Sequence, residues 1–559
     1  MMREVYVKRL LEEASNLISL GKLEDALAPL KTLCKEYPKN DHFLYQLGSV
    51  FYHLKRWEEA STHYTLACLE APLKADRHLA LGLAEFSRKK YDLALVSFLR
   101  ASVLDGSDME SVLNMGASYF ELREFERARH CFEMVSRRSS DPSKALLNLA
   151  VCLGRLGEHQ GAVNIFRDLI KRDGSDANVF AFYGVALHRI GNYDEAIDAY
   201  QVALSKNSAC IPAYLNWGIT CMEKNSMQEA VKFLRIAADL SGNAADARWN
   251  LSMALLAVGE YEEGFLLYNS RLEVLGDRLF RADPGSRAQY LERGTTLFGK
   301  TVYVFDEQGL GDTIHFSRYL ILLKSLGARI VARVNAGIVS LLETMNVVDV
   351  WLGDQETPPT HDFQIPLMSL PHFFSTTLKN IPYANAYLQA DEIKKEQWRV
   401  RLARHSEFSE KRRYIGLMWA GNPMNPNDVK RSVKLSEMLK FLPVESDNVV
   451  FVSLTNAMSL DDENLLSMDG RIVNLCREIR DFSDTAALVS LCERVVAVDT
   501  SVAHLSGALG VSTALMIPYA PDWRWGLSAE STPWYDSIRL HRQSTAGDWT
   551  SVLESVFNT

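Results

Sequence analysis

The sequence contains no cysteine pattern typical of a metal site or of a disulfide-bonded fold. Its eight cysteines include no C-x-x-C pair, and most of them lie at apolar positions of helical patterns. Buried, reduced thiols of a cytoplasmic protein are the expected interpretation. The cysteines therefore give no indication of a bound metal ion, and we expect none in the functional site.

The chain also lacks the charge and the apolar segments of several other classes of protein. Its net charge is -9, whereas nucleic-acid-binding proteins present a basic surface. No apolar run approaches the length of a membrane-spanning helix, and residues 1–10 lack the apolar centre of a signal peptide. We expect a cytoplasmic protein with no nucleic-acid partner and no membrane span.

Small residues recur every 34 residues through the amino-terminal half, in two series that are 12 residues apart. The first series is Ala14, Gly48, Gly82, Gly116, Ala150, Gly184, Gly218 and Ser252, and the second is Ala26, Ala60, Ala94, Ala128, Ala162, Ala196, Ala230 and Gly264. The period is that of the tetratricopeptide helix-turn-helix unit, in which small side chains let helices approach closely. We expect an α-solenoid of about eight repeats over residues 1–278, followed by further domains because 559 residues exceed one core.

Asparagines recur on the first helix of several repeats. Asn114, Asn148, Asn216 and Asn250 each lie two residues before a small position. If this face lines the groove of a superhelix, the amides would hold the backbone of a bound segment. Exposed polar side chains without a ligand are an equal alternative. We favour partner binding over a purely architectural array, because long solenoids expose a concave surface suited to recognition.

A polar, turn-rich connector ends the repeat pattern, and we place it at residues 279–300. Residues 294–301 match the P-loop expression GxxxxGK[ST]. That loop must follow a strand and open a helix, whereas these residues precede an apolar strand pattern. We therefore interpret Gly299 and Lys300 as a turn and reject ATP hydrolysis.

Strand patterns alternate with helical patterns in the rest of the chain, which predicts parallel sheets covered on both faces. We expect a first Rossmann-like lobe at residues 301–391, a charged helical linker at 392–411 and a second Rossmann-like lobe at 412–559. The expected strands lie at 302–306, 328–334, 347–352, 363–366, 414–419, 449–454, 494–499 and 513–518, and the expected helices at 337–345, 434–441, 484–492 and 501–509.

The strand at residues 302–306 ends in a turn that contains Gln308, Gly309, Gly311 and Asp312. The glycines let backbone N–H groups approach a ligand, and Asp312 lies where a helix begins. A helix start at the carboxyl edge of a parallel sheet suits an anionic ligand, and Asp312 would be the base. An ordinary helix cap is an equal alternative. Nicotinamide chemistry is disfavoured because the third glycine of GxGxxG is missing.

A second turn of the same kind contains Asp499, Thr500, Ser501 and His504. Hydroxyl groups beside free N–H groups suit a diphosphate. Asp499 would orient the turn, since two anions repel each other, and His504 would either pair with phosphate or lie in the core. The basic cluster at residues 430–432 is a candidate phosphate clamp or a solvated run of charge.

Several motifs are shared with one known family. They are QGLGD at 308–312 with His315, GLMWAGN at 416–422, Arg431 with Ser432, DTSVAHL at 499–505, PYAPDWRW at 518–525 and PWY at 533–535. In these motifs the chain resembles bacterial tetratricopeptide-repeat glycosyltransferases with a heptosyltransferase-like catalytic region, similar in architecture to protein O-GlcNAc transferase. The resemblance implies a GT-B fold, a donor bound mainly by the second lobe, metal-independent transfer with inversion, and a helix at 548–557 that packs on the first lobe.

The resemblance also implies roles for individual residues. Asp312 matches the general base of the family, and His315 matches the histidine one turn later. The residues expected to bind the donor are Gln308, Gly309, Gly311, Trp419, Gly421, Asn422, Arg431, Ser432, Asp499, Thr500, Ser501, His504, Leu505 and Asp522. The donor is a nucleotide-sugar, which is a substrate rather than a cofactor.

Three functions stay open. The first is transfer of a sugar to a protein or peptide held in the groove of the repeats, with flagellin or another surface protein as the acceptor. The second is a non-catalytic scaffold with a remnant transferase domain. The third is transfer to a lipid or polysaccharide acceptor, which predicts that the repeats are dispensable for activity.

Overall fold

The structure is a computed structural model that describes residues 2–172, 176–276, 289–406, 412–425, 427–443, 448–455 and 458–557. The chain divides into two compact units, Met1–Asn216 and Trp217–Thr559. Of the helices described, none is both long enough and apolar enough to span a bilayer. The predicted connector at residues 279–300 and linker at 392–411 each lie partly outside the described ranges.

A solenoid of about 17 helices forms the amino-terminal part of the chain. The helices are α1 Met2–Ser19, α2 Leu23–Glu36, α3 Asp41–His53, α4 Trp57–Glu70, α5 Ala75–Ser87, α6 Tyr91–Leu104, α7 Met109–Glu121, α8 Phe125–Arg138, α9 Ser143–Leu156, α10 His159–Arg172, α11 Ala177–Arg189, α12 Tyr193–Lys206, α13 Ile211–Glu223, α14 Met227–Leu240, α15 Ala245–Ala257, α16 Tyr261–Tyr268 and α17 Arg271–Leu275. Consecutive helices pair as tetratricopeptide repeats do, which confirms the repeat prediction.

The small residues of the first series give the paired helices room to touch. A Cβ atom at Gly82 would lie 2.5 Å from the ring of Phe98, and one at Gly116 would lie 2.6 Å from the ring of Phe132. In both pairs the ring lies 16 residues after the glycine, on the second helix of the same repeat. In these repeats the small residue is needed because a ring packs directly against the backbone of its partner helix.

A five-stranded parallel sheet forms the first lobe, residues 289–391. Its strands are β1 Gln289–Tyr290, β2 Thr301–Phe305, β3 Arg329–Arg333, β4 Val350–Trp351 and β5 Phe363–Pro366, in the order β1-β5-β2-β3-β4. Helix α18 Leu310–Ser325 follows β2, and the shorter helices are α19 Ala336–Leu342 and α20 Leu370–Phe373. The central strands are buried on both faces, as continuous apolar runs predict.

A seven-stranded sheet forms the second lobe, residues 412–557, and helix α21 Glu392–Ser406 precedes it. Its strands are β6 Arg413–Met418, β7 Val449–Ser453, β8 Ile472–Val473, β9 Arg494–Val498, β10 Ser512–Ile517, β11 Ser531–Thr532 and β12 Tyr535–Arg542, in the order β11-β12-β10-β9-β6-β7-β8. Its helices are α22 Asp428–Arg431, α23 Leu435–Met438, α24 Leu460–Met468, α25 Phe482–Ser490, α26 Ser501–Ala508 and α27 Thr550–Phe557. Only β11 is antiparallel to its neighbour among the described strands.

The structure adds one strand that was not predicted and contradicts two predictions about this region. The strand β12 was not predicted, although its eight residues pair in parallel with β10. The helix expected at residues 434–441 is only the four-residue α23. Helix α27 was expected to pack on the first lobe, but its apolar side chains, such as Leu553, lie in one cluster with Val496 and Met516 of the second lobe's own sheet.

Candidate functional site

Asp312 lies in the first turn of α18, directly after the carboxyl end of β2. Gly309 is the N-cap residue of α18, and its N–H donates to Oδ2 of Asp312, the third residue of the helix, at 3.2 Å. Arg524 donates from Nη2 to the other oxygen, Oδ1, at 2.5 Å. Burial raises the pKa of this carboxyl; Arg524 opposes that rise and Asp522 adds to it, so that the pKa lies above its ordinary value.

The two ligand-binding turns predicted from the sequence meet at Gly311. A Cβ atom at this position would lie 3.0 Å from Cδ2 of His504 and 3.3 Å from Cα of Ser501. A side chain at position 311 would therefore push the starts of α18 and α26 apart. At Gly309 a Cβ atom would meet only Oδ2 of Asp312, at an ordinary 3.5 Å, so the steric requirement for glycine lies at 311 alone.

Thr500 occupies the N-cap position of α26, at the carboxyl end of β9, without a capping hydrogen bond from its side chain. Its side chain is buried, and among the described residues its Oγ1 has no hydrogen-bond partner. Ser501 is half-buried beside it, and Leu505 is fully buried in the core. Burial and the neighbouring Asp522 raise the pKa of Asp499 to about 6. The turn thus contains a buried hydroxyl without a partner among the described residues at a helix start, and the anion site predicted there stays a prediction.

A tyrosine joins the two predicted histidines. The hydroxyl of Tyr535 lies 3.0 Å from Nδ1 of His315 and 3.0 Å from Nδ1 of His504. Because a hydroxyl carries one proton, one histidine accepts from it and the other donates to it, so the two rings have opposite tautomers. Burial, and then the charge of a buried arginine, lowers the pKa of both histidines well below its ordinary range and keeps them neutral.

The structure places His315 inside the protein rather than at the edge of the sheet. Its side chain is 0% exposed and packs 4.4 Å from the ring of Trp534, centroid to centroid. Its Nε2 has no hydrogen-bond partner among the residues described. His315 thus holds Tyr535 and the aromatic core, and in this conformation it does not reach the surface where Asp312 lies.

The basic cluster at residues 430–432 belongs to a loop with its own hydrogen bonds. Arg431 donates from Nε to Oδ1 of Asp428 at 3.3 Å, and Ser432 donates to Oδ2 of Asp428 at 2.9 Å. The hydroxyl of Ser432 also accepts from the N–H of Gly421 at 3.1 Å. Lys430 pairs with Glu223 of α13 at 2.7 Å. Asp428 therefore positions Arg431, while Lys430 pairs with the last residue of α13.

Three of the residues expected to bind the donor have structural partners. Trp419 is 0% exposed and donates from Nε1 to Asp462 at 3.2 Å. Asn422 is exposed, and its Oδ1 accepts from the N–H of Met424 at 3.0 Å. Gln308, also exposed, donates to the hydroxyl of Tyr268 at 3.4 Å. Trp419 thus lies in the core, whereas Asn422 and Gln308 stay at the surface.

Arg524 was not predicted as a site residue, although the motif that contains it was recognised. It donates from Nη1 to Asp522 at 2.9 Å and from Nη2 to Asp312, so it joins the second lobe to the first. Its guanidinium lies 4.4 Å from the ring of Trp523 and 5.5 Å from that of Phe316. Burial alone would lower the pKa of Arg524. The carboxylates of Asp522 and Asp312 outweigh burial and hold the pKa above its ordinary value, so Arg524 keeps its charge.

The last repeat is part of the same core as the site. Arg271 of α17 is 0% exposed and donates from Nε to Glu307 at 3.0 Å and from Nη2 to Ser369 at 2.9 Å. The hydroxyl of Tyr261 accepts from Nε1 of Trp534 at 3.0 Å. These contacts fix the turn that carries Asp312, and the 34-residue period contains no signal for them.

The structure brings together most of the predicted residues from the two turns. Asp312, Gly311, Ser501, His504 and Asp522 form one cluster through direct contacts with each other or with Arg524. Asp499 and Arg431 join it through charge interactions. The cluster is an alternating set of acids and guanidinium groups at the carboxyl edges of two parallel sheets.

The chain is a tetratricopeptide repeat protein in its amino-terminal part. The model of the tetratricopeptide repeat matches residues 11–72, 113–177 and 153–209. Among curated proteins, Protein FlbA of Caulobacter vibrioides is 25% identical over 327 residues, which cover 54% of this chain and 52% of that relative. The chain therefore spans about half the length of that relative.

Solved repeat structures are similar to parts of the chain. A tetratricopeptide repeat protein from Parabacteroides merdae is 17% identical with a TM-score of 0.40, over 45% of this chain and 99% of that one. The yeast Tom70 structure is 15% identical with a TM-score of 0.36, over 45% of this chain and 55% of that one. At these identities and scores the similarity adds nothing to the fold described above.

Proposed function

We propose that the protein is a glycosyltransferase with a GT-B catalytic region, which moves a sugar from a nucleotide-sugar to a hydroxyl group of a protein acceptor. One observation supports this most: the starts of α18 and α26 meet at Gly311, with the carboxylate of Asp312 beside them. Each start follows a parallel strand, where N–H groups and the helix dipole favour an anion. A donor diphosphate and a base would then lie next to each other.

In the proposed reaction Asp312 takes the proton of the acceptor hydroxyl while its oxygen attacks the anomeric carbon of the sugar. The bond from that carbon to the diphosphate breaks, and the electron pair leaves with the nucleoside diphosphate. Attack from the face opposite the leaving group inverts the anomeric centre. The N–H groups of the Thr500 turn and the guanidinium of Arg431 would stabilise the departing charge without a metal ion.

The raised pKa of Asp312 supports the role of a base, because a base works best when its pKa approaches the working pH. The tetratricopeptide array supports the choice of a protein acceptor, since such arrays bind protein segments. Flagellin or another surface protein is the acceptor that the family resemblance suggests.

The function is tested by the turnover of a panel of nucleotide-sugars, with the released nucleoside diphosphate as the readout. We expect one donor to be consumed by the natural chain and not by the Asp312→Asn variant. Asp536→Asn is the matched control, because Asp536 is exposed on β12. Full activity of the Asp312→Asn variant would remove Asp312 from the role of base.

A non-catalytic scaffold is the second candidate function, and the repeat array itself supports it. A scaffold would bind its protein partner with no nucleotide-sugar turned over. A transferase for a lipid or polysaccharide is the third candidate. It would keep its activity after the first repeats are removed, provided that the truncation spares α15–α17, which are packed into the core of the catalytic region.

A further inference from the structure

Arg524 is a buried guanidinium shared between carboxylates of the two lobes. Its side chain is 7% exposed, Nη2 lies 2.5 Å from Oδ1 of Asp312, and Nη1 lies 2.9 Å from Oδ1 of Asp522. Its Nε has no hydrogen-bond partner among the residues described. A buried N–H without a partner is costly, so its presence beside a cluster of charges points to a ligand that completes the hydrogen bonds.

The other two arginines near the site make different contacts. Arg318 is 0% exposed and donates to the carbonyl oxygens of His315 and Trp534 at 2.9 and 2.8 Å. Arg431 donates from Nε to Asp428 of its own loop. Arg524 alone among these three has its guanidinium divided between the carboxylates of two lobes.

The position of Arg524 places it next to the start of α26. Its partner Asp312 follows Gly311 in the chain. A Cβ atom built at Gly311 would lie only 3.3 Å from Cα of Ser501, the first residue of α26. Trp525, its neighbour in sequence, stacks on His504 with ring centroids 5.0 Å apart. Thr500, at the same helix start, also has a buried hydroxyl without a partner. Two unpartnered polar groups thus lie around one helix N-terminus.

We propose that Arg524 binds the diphosphate group of the donor, and that its guanidinium pairs with Asp312 until the diphosphate binds. The inference rests on the proposed function, whose donor site it completes. An arginine fork offers two parallel N–H groups to phosphate oxygens and competes well for a phosphate against a carboxylate. Arg524 is therefore a donor-binding residue and also a positioning residue for Asp312.

The exchange has a direct consequence for the base. The positive charge of Arg524 lowers the pKa of Asp312, while burial raises it. When a diphosphate draws the guanidinium away, the carboxylate loses its counter-ion and becomes a stronger base. The donor would thus activate Asp312 on binding, and the enzyme would bind the donor before it deprotonates the acceptor.

Calorimetric titration tests the proposal with inorganic pyrophosphate and with the diphosphates of uridine, guanosine, adenosine, cytidine and thymidine. We expect binding of at least one of them to the natural full-length chain. Arg524→Gln should weaken that affinity about 30-fold or more, because it removes a charge-assisted fork. Arg524→Lys should recover only part of the loss, since a point charge lacks the fork.

The variant Asp312→Asn tests the direction of the effect independently, because it replaces only one carboxylate oxygen by an NH2 group at a side chain that is 23% exposed. We expect it to tighten the binding of the same diphosphate about fivefold, because the competing negative charge is gone. Arg539→Gln is the control, since Arg539 is 69% exposed and pairs with Glu530 at the surface. It should leave the affinity unchanged.

The outcomes separate the inference from the proposed function. Unchanged affinity in Arg524→Gln, or weaker affinity in Asp312→Asn, would overturn the role of Arg524 even if the natural chain transfers sugar. Affinity that depends on Arg524 in a protein that consumes no nucleotide-sugar would support the inference and argue against the transferase. If the natural chain binds none of these probes, the inference is wrong. Should Arg524→Gln fail to fold, the Asp312→Asn titration decides alone.

Discussion

At the scale of single residues, Asp312 makes one hydrogen bond at the start of its helix and one salt bridge. It accepts from the N–H of Gly309, the N-cap residue of α18, and it pairs with the guanidinium of Arg524, which would have to leave for Asp312 to act as a base. The sequence predicted Asp312 as the cap or as a base; the structure places it at the third residue of the helix, and the catalytic role stays a proposal. A carboxylate that is only 23% exposed can do both, because each of its oxygens accepts more than one hydrogen bond.

The Asp312→Asn variant should retain the fold and lose transfer. The amide keeps an oxygen for one hydrogen bond but cannot accept a proton at neutral pH, so we expect kcat to fall by about 10²-fold or more. The loss should lie in kcat, because the donor still binds. Single-turnover kinetics with the donor identified in the nucleotide-sugar screen measures this, and a loss confined to KM would contradict it.

Asp499 provides a pH test at the same scale. Its folded pKa of about 6 lies above the usual value near 3.9 for an unfolded chain, so the folded protein binds this proton more tightly. The ionised carboxylate therefore costs stability above about pH 6, and the cost disappears as the pH falls through 6 towards about 4.

We accordingly expect Asp499→Asn to unfold at a higher temperature than the natural chain at about pH 8, and the difference to shrink as the pH is lowered to about 4. Thermal unfolding followed by circular dichroism across this pH range measures the difference. Asp536→Asn, at an exposed position, is the control. If the difference in unfolding temperature grew as the pH is lowered, the pKa of Asp499 would not be raised in the folded protein.

At the scale of elements, several repeats pack a glycine of one helix against a ring of the next. Gly116 of α7 and Phe132 of α8 illustrate this contact, which leaves no space for a methyl group. By contrast, a Cβ atom at Gly154 of α9 would meet nothing within 4 Å. The two helical glycines therefore differ only in what surrounds them.

Gly116→Ala should destabilise the solenoid by about 1–3 kcal/mol, because the ring must shift or the helices must separate. Gly154→Ala should stabilise it by about 0.5–1 kcal/mol, because alanine restricts the unfolded chain and favours helix. Urea unfolding of both variants in the full-length chain compares them. Equal effects at the two positions would mean that the ring contact does not set the repeat.

At the scale of the whole molecule, the α/β region shares its apolar core with the end of the solenoid. One apolar core contains residues of α16, of both sheets and of the loop that carries Trp523 and Trp534. The buried pair of Arg271 and Glu307 joins α17 to the turn that leads to Asp312. The compact unit that contains both sheets therefore begins at Trp217, within α13, rather than at the connector.

Arg271→Met should destabilise the second unit by about 3–5 kcal/mol, because it leaves the buried carboxylate of Glu307 without its counter-ion. Arg248→Met is the matched control: its partner Glu273 is 61% exposed, and an exposed pair contributes less than about 1 kcal/mol. Urea unfolding followed by tryptophan fluorescence reports on the second unit. Equal destabilisation by the two changes would contradict the anchoring role of Arg271.

The sequence predicted the helical repeats and the strands that form continuous apolar runs. The period of 34 located the helices, and the apolar runs located β2, β3, β6, β7, β9 and β10 within one or two residues. The strand β12 escaped because its sequence, YDSIRLHR, mixes charged and apolar residues as a solvent-facing segment does. Short-range patterns also carry no information on contacts such as Arg524 with Asp312, which are 212 residues apart.

The central claim is that two helix starts form one diphosphate site beside Asp312, and a thermal-shift screen of nucleoside diphosphates and monophosphates tests it most directly. We expect the diphosphate of one base to raise the unfolding temperature of the second unit, with a stabilisation of about 2.7 kcal/mol at 100 times its Kd. The monophosphate of the same base should raise it less, because it leaves the helix starts unoccupied. No shift with any nucleotide, or an equal shift with the monophosphate, would contradict the claim.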